Sequence, residues 1–156
     1  MTIVTDQIQI SLPEGSDKAV IMLPARFLSD AKGAEYYSTA ISFYKMVQKQ
    51  VPVQFASEPL TLLDQRSGDW FAPAMAITNQ FINDHPLIVS ILCGVIANYV
   101  TALMSPVRSP QVHVNLIIER SRGKNFVNVA YTGDVEGMRD VIEKAVEIGR
   151  AGDADA

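Results

Sequence analysis

The sequence predicts an α+β fold with two layers: a mostly antiparallel sheet of two hairpins and about four helices. Alternation of polar and apolar residues near both ends of the chain predicts the strands of the hairpins. Apolar residues at spacings of three and four predict the helices. The length of 156 residues suits one domain, which we assign to residues 1–150, followed by a flexible tail at residues 151–156.

The first predicted hairpin lies near the start of the chain. Residues 7–12 alternate polar and apolar side chains, and residues 19–23 form a short apolar run. Turn-forming residues at positions 13–17 separate the two segments. Residues 51–55 are a possible fifth strand at a sheet edge, because Pro52 has no N–H to donate to a neighbouring strand.

The second hairpin and the helices follow from clearer patterns. Residues 112–119 and 125–131 alternate on either side of a short polar turn, as two antiparallel strands require. Residues 57–68 are rich in polar residues and predict a long connection. Helical spacing predicts helices over residues 31–50, 70–83, 87–104 and 135–148, the last capped by Asp134.

One uncharged segment permits two interpretations. The 23 positions from residue 85 to residue 107 contain no Asp, Glu, Lys or Arg, which predicts a long apolar helix near residues 86–104. Such a helix would span about 28 Å, close to the hydrocarbon thickness of a bilayer. A single spanning helix would, however, place the two halves of one sheet on opposite sides of a membrane. We therefore expect this helix to pack within protein.

Two sets of residues are candidate interaction sites. Ser90, Gly94, Ala97 and Thr101 recur at helical spacing and form a stripe of small or polar residues along one side of this helix. Such a stripe allows another helix or a second copy of the chain to approach closely. For Trp70 and its neighbour Phe71, burial is the ordinary expectation, whereas exposure would mark a contact surface.

No motif for nucleotide binding, nucleophilic catalysis or zinc hydrolysis occurs in the sequence. Cys93 lies in the apolar segment without a cationic neighbour, which favours a small core residue. His113 shares a predicted strand face with Asn115 and Glu119, which we interpret as a solvated face. We therefore expect no catalytic residue, no metal and no cofactor.

Charge argues against nucleic acid as a partner. Thirteen Lys and Arg residues against seventeen Asp and Glu residues leave a net charge of −4, so no global positive field attracts phosphates. Arg120, Arg122 and Lys124 cluster at the turn of the second hairpin, where they are expected to keep the turn solvated. The first residues lack the pattern of a secretory signal, which predicts a cytoplasmic protein.

The leading hypothesis is a non-enzymatic interaction or assembly module that forms a homo-oligomer or binds a protein partner. A first alternative is a membrane-associated protein whose helix at residues 86–104 inserts into a bilayer, with the rest as a cytoplasmic regulatory domain. A second alternative is a small-ligand or enzyme site between the sheet and the connection at residues 57–68.

Overall fold

A computed structural model of the chain describes residues 2–10, 12–25, 27, 35–63, 70–103, 111–121 and 125–154. The strands are β1 (Thr2–Ile8), β2 (Val20–Leu23), β3 (Glu35–Tyr37), β4 (Val53–Phe55), β5 (Thr61–Leu63), β6 (Trp70–Phe71), β7 (Ala74–Ile77), β8 (Val112–Ser121) and β9 (Asn125–Gly133). The helices are α1 (Ala40–Val47), α2 (Asn79–Asp84), α3 (Ile88–Leu103) and α4 (Val135–Ala154). Helix α4 thus runs into the segment that was predicted to be a tail.

The main sheet is mixed, so the prediction of a mostly antiparallel sheet is wrong. Its strand order is β1-β9-β8-β7-β2-β4, with β6 beside the start of β8. The β1–β9, β9–β8 and β7–β2 pairs are antiparallel, whereas β8 pairs in parallel with β6 and β7, and β2 with β4. Strands β3 and β5 form a separate parallel pair. The α+β class itself is confirmed.

Only the second of the two predicted hairpins exists. Strands β8 and β9 pair from Val112↔Gly133 to Ser121↔Asn125, with an irregularity near Glu119. The predicted first hairpin is absent, because β1 pairs with β9 at one edge while β2 lies between β7 and β4. The predicted edge strand is present as β4, and Pro52 precedes its first residue.

The segment predicted as a helix over residues 70–83 differs most from its prediction, and this difference makes the sheet mixed. It contains β6, β7 and only the short helix α2. All four residues of β7 are buried, so the strand shows no polar alternation, and its Ala and Met residues favour helices elsewhere. Because β7 and β8 are parallel, the chain returns between them through α2 and α3, as a crossover requires.

The helix predicted over residues 31–50 is also shorter in the structure. Helix α1 covers only Ala40–Val47, and β3 occupies part of the predicted range. Residues 31–34 lie outside the described residues. Tyr36 on β3 is 1% exposed, and its hydroxyl group donates to the Ser57 carbonyl oxygen at 3.0 Å. This contact joins β3 to the predicted connection, which contains β5.

Helix α3 differs from the long apolar helix predicted near residues 86–104. It has 16 residues and is amphipathic: Ile88, Leu92 and Ile96 are 0% exposed, whereas Ser90 and Gly94 are exposed on the other side. The described side chains of α3 that the fold covers are thus apolar, whereas Ser90 and Gly94 lie on the uncovered side. In the described part of the chain, no helix is long and apolar enough to cross a membrane.

All four helices pack on one face of the main sheet. The side chains of this face belong to one hydrophobic cluster with side chains of every α-helix. From the sheet they are Val20, Met22, Val53, Trp70, Met75, Ile77, Val112, Val114, Leu116, Ile118, Val127, Val129 and Tyr131. The opposite face carries a smaller cluster around Ile21, Ile117 and Phe126, covered by side chains such as Leu12 and Phe27. The helices and the sheet thus form the two layers.

Tyr131 closes the end of β9 by crossing over Gly133. The Tyr131 side chain is 2% exposed, and its hydroxyl group donates to the Asp134 carbonyl oxygen at 2.6 Å. A Cβ atom at Gly133 would lie 2.5 Å from the Tyr131 Oη atom and 2.8 Å from its Cζ atom. Glycine is therefore required here by space.

We expect Gly133→Ala to lower the free energy of unfolding by about 1–3 kcal/mol, because the added methyl group overpacks a buried site. Urea unfolding at neutral pH measures this change. In the double variant with Tyr131→Phe, Gly133→Ala should cost less, since the closest atom is gone. An equal cost in both backgrounds would show that the Tyr131 hydroxyl group does not set the constraint.

Candidate functional site

Helix α3 has neighbours on both sides within the helical layer, since α1 and α4 each contact it. Its buried side includes Ile88, Leu92 and Ile96. Near its C-terminal end, the Tyr99 hydroxyl group lies 2.6 Å from the Ser42 hydroxyl oxygen and donates to the Thr39 carbonyl oxygen at 3.2 Å. These contacts fix the rotation of α3, and therefore determine which residues face away from the sheet.

The outward side of α3, together with Leu87 directly before the helix, forms what we call the α3 surface: Leu87, Ser90, Gly94 and Asn98. All four residues are exposed, and Leu87 is 68% exposed. Of the predicted stripe, Ser90 and Gly94 thus lie on this surface, and Ala97 is half-buried beside it. Thr101 belongs to α3, but its side chain is outside the described part of the structure. The residues brought together here are small, polar or apolar, and none is charged.

The exposed side of the neighbouring helix α4 is charged, in contrast to the α3 surface. Its exposed side carries the charged residues Glu136, Arg139, Asp140, Glu143, Lys144 and Glu147. The Arg139 Nε atom and the Glu143 Oε1 atom lie 3.3 Å apart, in an exposed pair that stabilises the helix weakly. Exposed helix faces in water ordinarily carry such charges. The α3 surface has no charged residue, although its four residues are exposed like those of α4.

Gly94 has no role in packing within the chain. Beyond its two chain neighbours and the backbone of its own helix, a Cβ atom at this position would meet no atom within 4 Å. Glycine in the middle of a helix costs about 0.5–1 kcal/mol relative to alanine. Gly94 therefore does not stabilise the fold of one chain. Because it has no side chain, the helix backbone is accessible at the centre of the α3 surface.

Trp70 lies in the core and is 0% exposed. Its ring centroid is 5.1 Å from that of Phe43 and 5.0 Å from that of Tyr99. The indole Nε1 atom donates to the Thr39 Oγ1 atom at 3.3 Å. Trp70 thus connects β6 to α1 and α3 and contributes no exposed surface in the chain. The side chain of Phe71 is outside the described part of the structure.

Cys93 is half-buried on α3 and packs against the core. Burial raises the pKa of the Cys93 thiol; the positive charge of Arg139 opposes this shift, and the negative charge of Glu143 adds to it. The thiol is therefore protonated at neutral pH and is a poor nucleophile. The prediction of an apolar role for Cys93 agrees with this position.

The interpretation of the His113 strand face as solvated is wrong. His113 and Asn115 are half-buried, while Glu119 is 7% exposed and Ile117 is fully buried. The Glu119 Oε1 atom accepts a hydrogen bond from the Asn79 backbone N–H at 3.2 Å, which holds the start of α2 against β8. The alternation of the sequence correctly placed His113, Asn115 and Glu119 on one strand face. The burial of Glu119 could not be predicted, because it depends on contacts with residues far away in the sequence.

The geometry does not assemble a metal centre in the residues described: no group of three or more His, Cys, Asp and Glu side chains converges there. His85 is stacked on Phe81 at a centroid distance of 4.0 Å, whereas His113 contacts the Thr132 hydroxyl oxygen at 3.1 Å. Comparison with protein-family models, with curated proteins and with solved structures found no match to this chain.

We expect Cys93 in the folded chain to react with iodoacetamide with a midpoint above pH 9.0, the ordinary value for a thiol. The thiol ionises more readily in the unfolded chain, so its contribution to stability is present below that pH and is lost as the pH rises. Alkylation rates from pH 7 to pH 11, with the urea-unfolded chain as control, measure the shift. A folded midpoint at or below the unfolded one would contradict it.

Proposed function

We propose that this protein is a self-associating interaction module in which the α3 surface of one copy contacts the α3 surface of a second copy. The observation that supports the proposal is the complete absence of charge on an exposed helix side. A symmetric pair of this kind uses the same surface on both chains.

Electrostatics favours a second copy as the occupant of this surface. Each chain carries a net charge of −4, so two copies repel each other wherever their acidic surfaces meet. Among the α4 side chains that the structure describes, four exposed residues are acidic and two, Arg139 and Lys144, are basic. The α3 surface adds no charge to such a contact, and it is therefore a favourable place for two like-charged chains to approach.

The shape and polarity of the α3 surface support the same arrangement. Leu87 is 68% exposed, and burial of a leucine side chain is favourable by about 1.5–3 kcal/mol. Gly94 lies two helical turns further along and offers open space for a side chain of the partner. Ser90 and Asn98 retain hydrogen-bonding groups at the margins, which keeps the surface compatible with water in the free chain.

We expect Ser90→Arg to convert the associated protein to a monomer, because a positive charge would be buried at the contact. Ser90 is exposed and arginine favours helices more than serine, so the fold should remain intact. Light scattering without detergent measures the mass, and circular dichroism checks the fold.

Gln50→Arg is the matched control, since Gln50 is exposed in the turn after α1 and the charge change is the same. The control should keep the wild-type mass. A monomeric wild-type chain at all concentrations would contradict the proposal. Binding of the wild type to phosphatidylcholine vesicles, abolished by Ser90→Arg, would instead favour a membrane surface as the occupant.

We expect Gly94→Ala to act in opposite directions on stability and on association. In dilute solution the free energy of unfolding should rise by about 0.5–1 kcal/mol, because alanine favours the helix and meets no neighbour. The added methyl group should also separate two α3 helices and raise the dissociation constant. Urea unfolding and sedimentation velocity measure the two effects. Unchanged association would place the contact elsewhere.

A further inference from the structure

Strand β1 forms one edge of the main sheet and is exposed along much of its length. Among the described strands it pairs with β9 alone, and the strand order ends at β1. Four consecutive residues of this strand are exposed: Val4, Thr5, Asp6 and Gln7. Because successive residues of a strand point to opposite faces of the sheet, β1 is uncovered on both faces at these positions.

The outer side of β1, which we call the β1 edge, carries backbone groups for a further strand. In an antiparallel pair, the N–H and C=O groups of every second residue point to the neighbouring strand, and those of the other residues point away from it. Strand β1 has seven residues and one neighbouring strand, so about half of its backbone donors and acceptors face outward. Such a row of groups can pair with an extended chain.

The other edge of the same sheet, β4, is much less suited to this pairing. Strand β4 has three residues and follows Pro52, which has no N–H to donate. Strand β1 is longer, contains no Pro, Lys or Gly, and pairs with β9 in an unbroken register. Short length, proline, lysine and bulges are the features that usually protect an exposed edge. None of these features occurs in β1, where the one charged residue is Asp6.

Asp6 gives the β1 edge a negative charge. No residue of β1, and none of the β9 residues paired with it, is Lys or Arg. Asp6 lies on the same face as Val4, since residues two apart in a strand share a face. Opposite charges directly across from each other stabilise a strand pair, whereas like charges destabilise it. The β1 edge therefore favours a strand whose residue opposite Asp6 is basic.

We propose that the β1 edge binds an extended segment of another protein, which adds to the sheet as an antiparallel strand and places a lysine or arginine opposite Asp6. The residue opposite Val4 is apolar, because Val4 is 46% exposed and contact with it removes apolar surface from water. In an antiparallel strand, the basic residue precedes the apolar one by two positions. Backbone hydrogen bonds supply the affinity, and these two side chains supply the specificity.

A second copy of the chain fits the β1 edge less well than a basic segment does. Each chain carries a net charge of −4, and a second β1 contains no basic residue that could lie opposite Asp6. The proposal is also independent of self-association through the α3 surface, because β1 pairs with β9, whereas α3 packs against α1 and α4.

Amide hydrogen exchange of the whole chain, measured by NMR at constant ionic strength, tests the proposal. The probe is a synthetic heptapeptide of threonine and valine with lysine at its third position and valine at its fifth. The control peptide has glutamate in place of the lysine. We expect the lysine peptide to slow exchange at alternate residues of β1, whose N–H groups face outward, and to bind about fivefold more tightly than the glutamate peptide.

Three outcomes would overturn the proposal. The first is unchanged exchange of the β1 amides with the lysine peptide. The second is equal slowing by the lysine and glutamate peptides, since the charge of Asp6 would then have no influence. The third is slow exchange of every β1 amide before any peptide is added, because the edge would already have an occupant, such as a second copy of the chain.

Variants of Asp6 locate the contact. Asp6→Asn should weaken binding of the lysine peptide about two- to fivefold, and Asp6→Lys should bind the glutamate peptide more tightly than the lysine peptide. Asp6 is exposed, so both variants should fold, which circular dichroism checks.

Gln9→Lys is the matched control for Asp6→Asn, because both changes raise the net charge by one. Gln9 is exposed directly after the end of β1, so this variant should bind the lysine peptide more tightly than Asp6→Asn does. Equal affinities of the two variants would show that net charge, rather than the residue opposite Asp6, controls binding, and they would contradict the proposal.

Discussion

Strand β8 lies between β9 on one side and β6 with β7 on the other, and its side chains alternate between two unlike surroundings. Val112, Val114, Leu116 and Ile118 point to the helical layer and are at most 2% exposed. Each such buried side chain contributes about 1.5–3 kcal/mol to folding. A slip of one residue would exchange the two faces completely, so this alternation fixes where the helices pack and which side chains of β8 face away from them.

The sequence allowed prediction of the elements whose patterns are local. Alternation predicted the β8–β9 hairpin, and Pro52 predicted an edge position for β4. Strand β7 was missed because a strand buried on both faces shows no alternation, and its Ala-Met-Ala-Ile sequence favours a helix. The pairing of β1 with β9 was missed because it depends on residues near the two ends of the chain.

The candidate sites likewise depend partly on spacing along the sequence and partly on contacts between residues that are far apart in it. The stripe at Ser90 and Gly94 followed from helical spacing, but its exposure depends on how Tyr99 and the core rotate α3. The burial of Trp70 depends on contacts with α1 and α3. Gly94 likewise gave a signal through its spacing, but only the fold shows that a Cβ atom there would have open space around it.

The β1–β9 pairing has a consequence for the order of assembly. Thr2 pairs with Thr132, 130 residues further along the chain. During synthesis, β1 therefore lacks the strand with which it pairs until β9 has left the ribosome, and loop closure over such a distance is slow. Helix α3 precedes β9 in the chain and is synthesised earlier. The edge of the sheet that β1 forms is therefore completed only after the two distant ends of the chain have met.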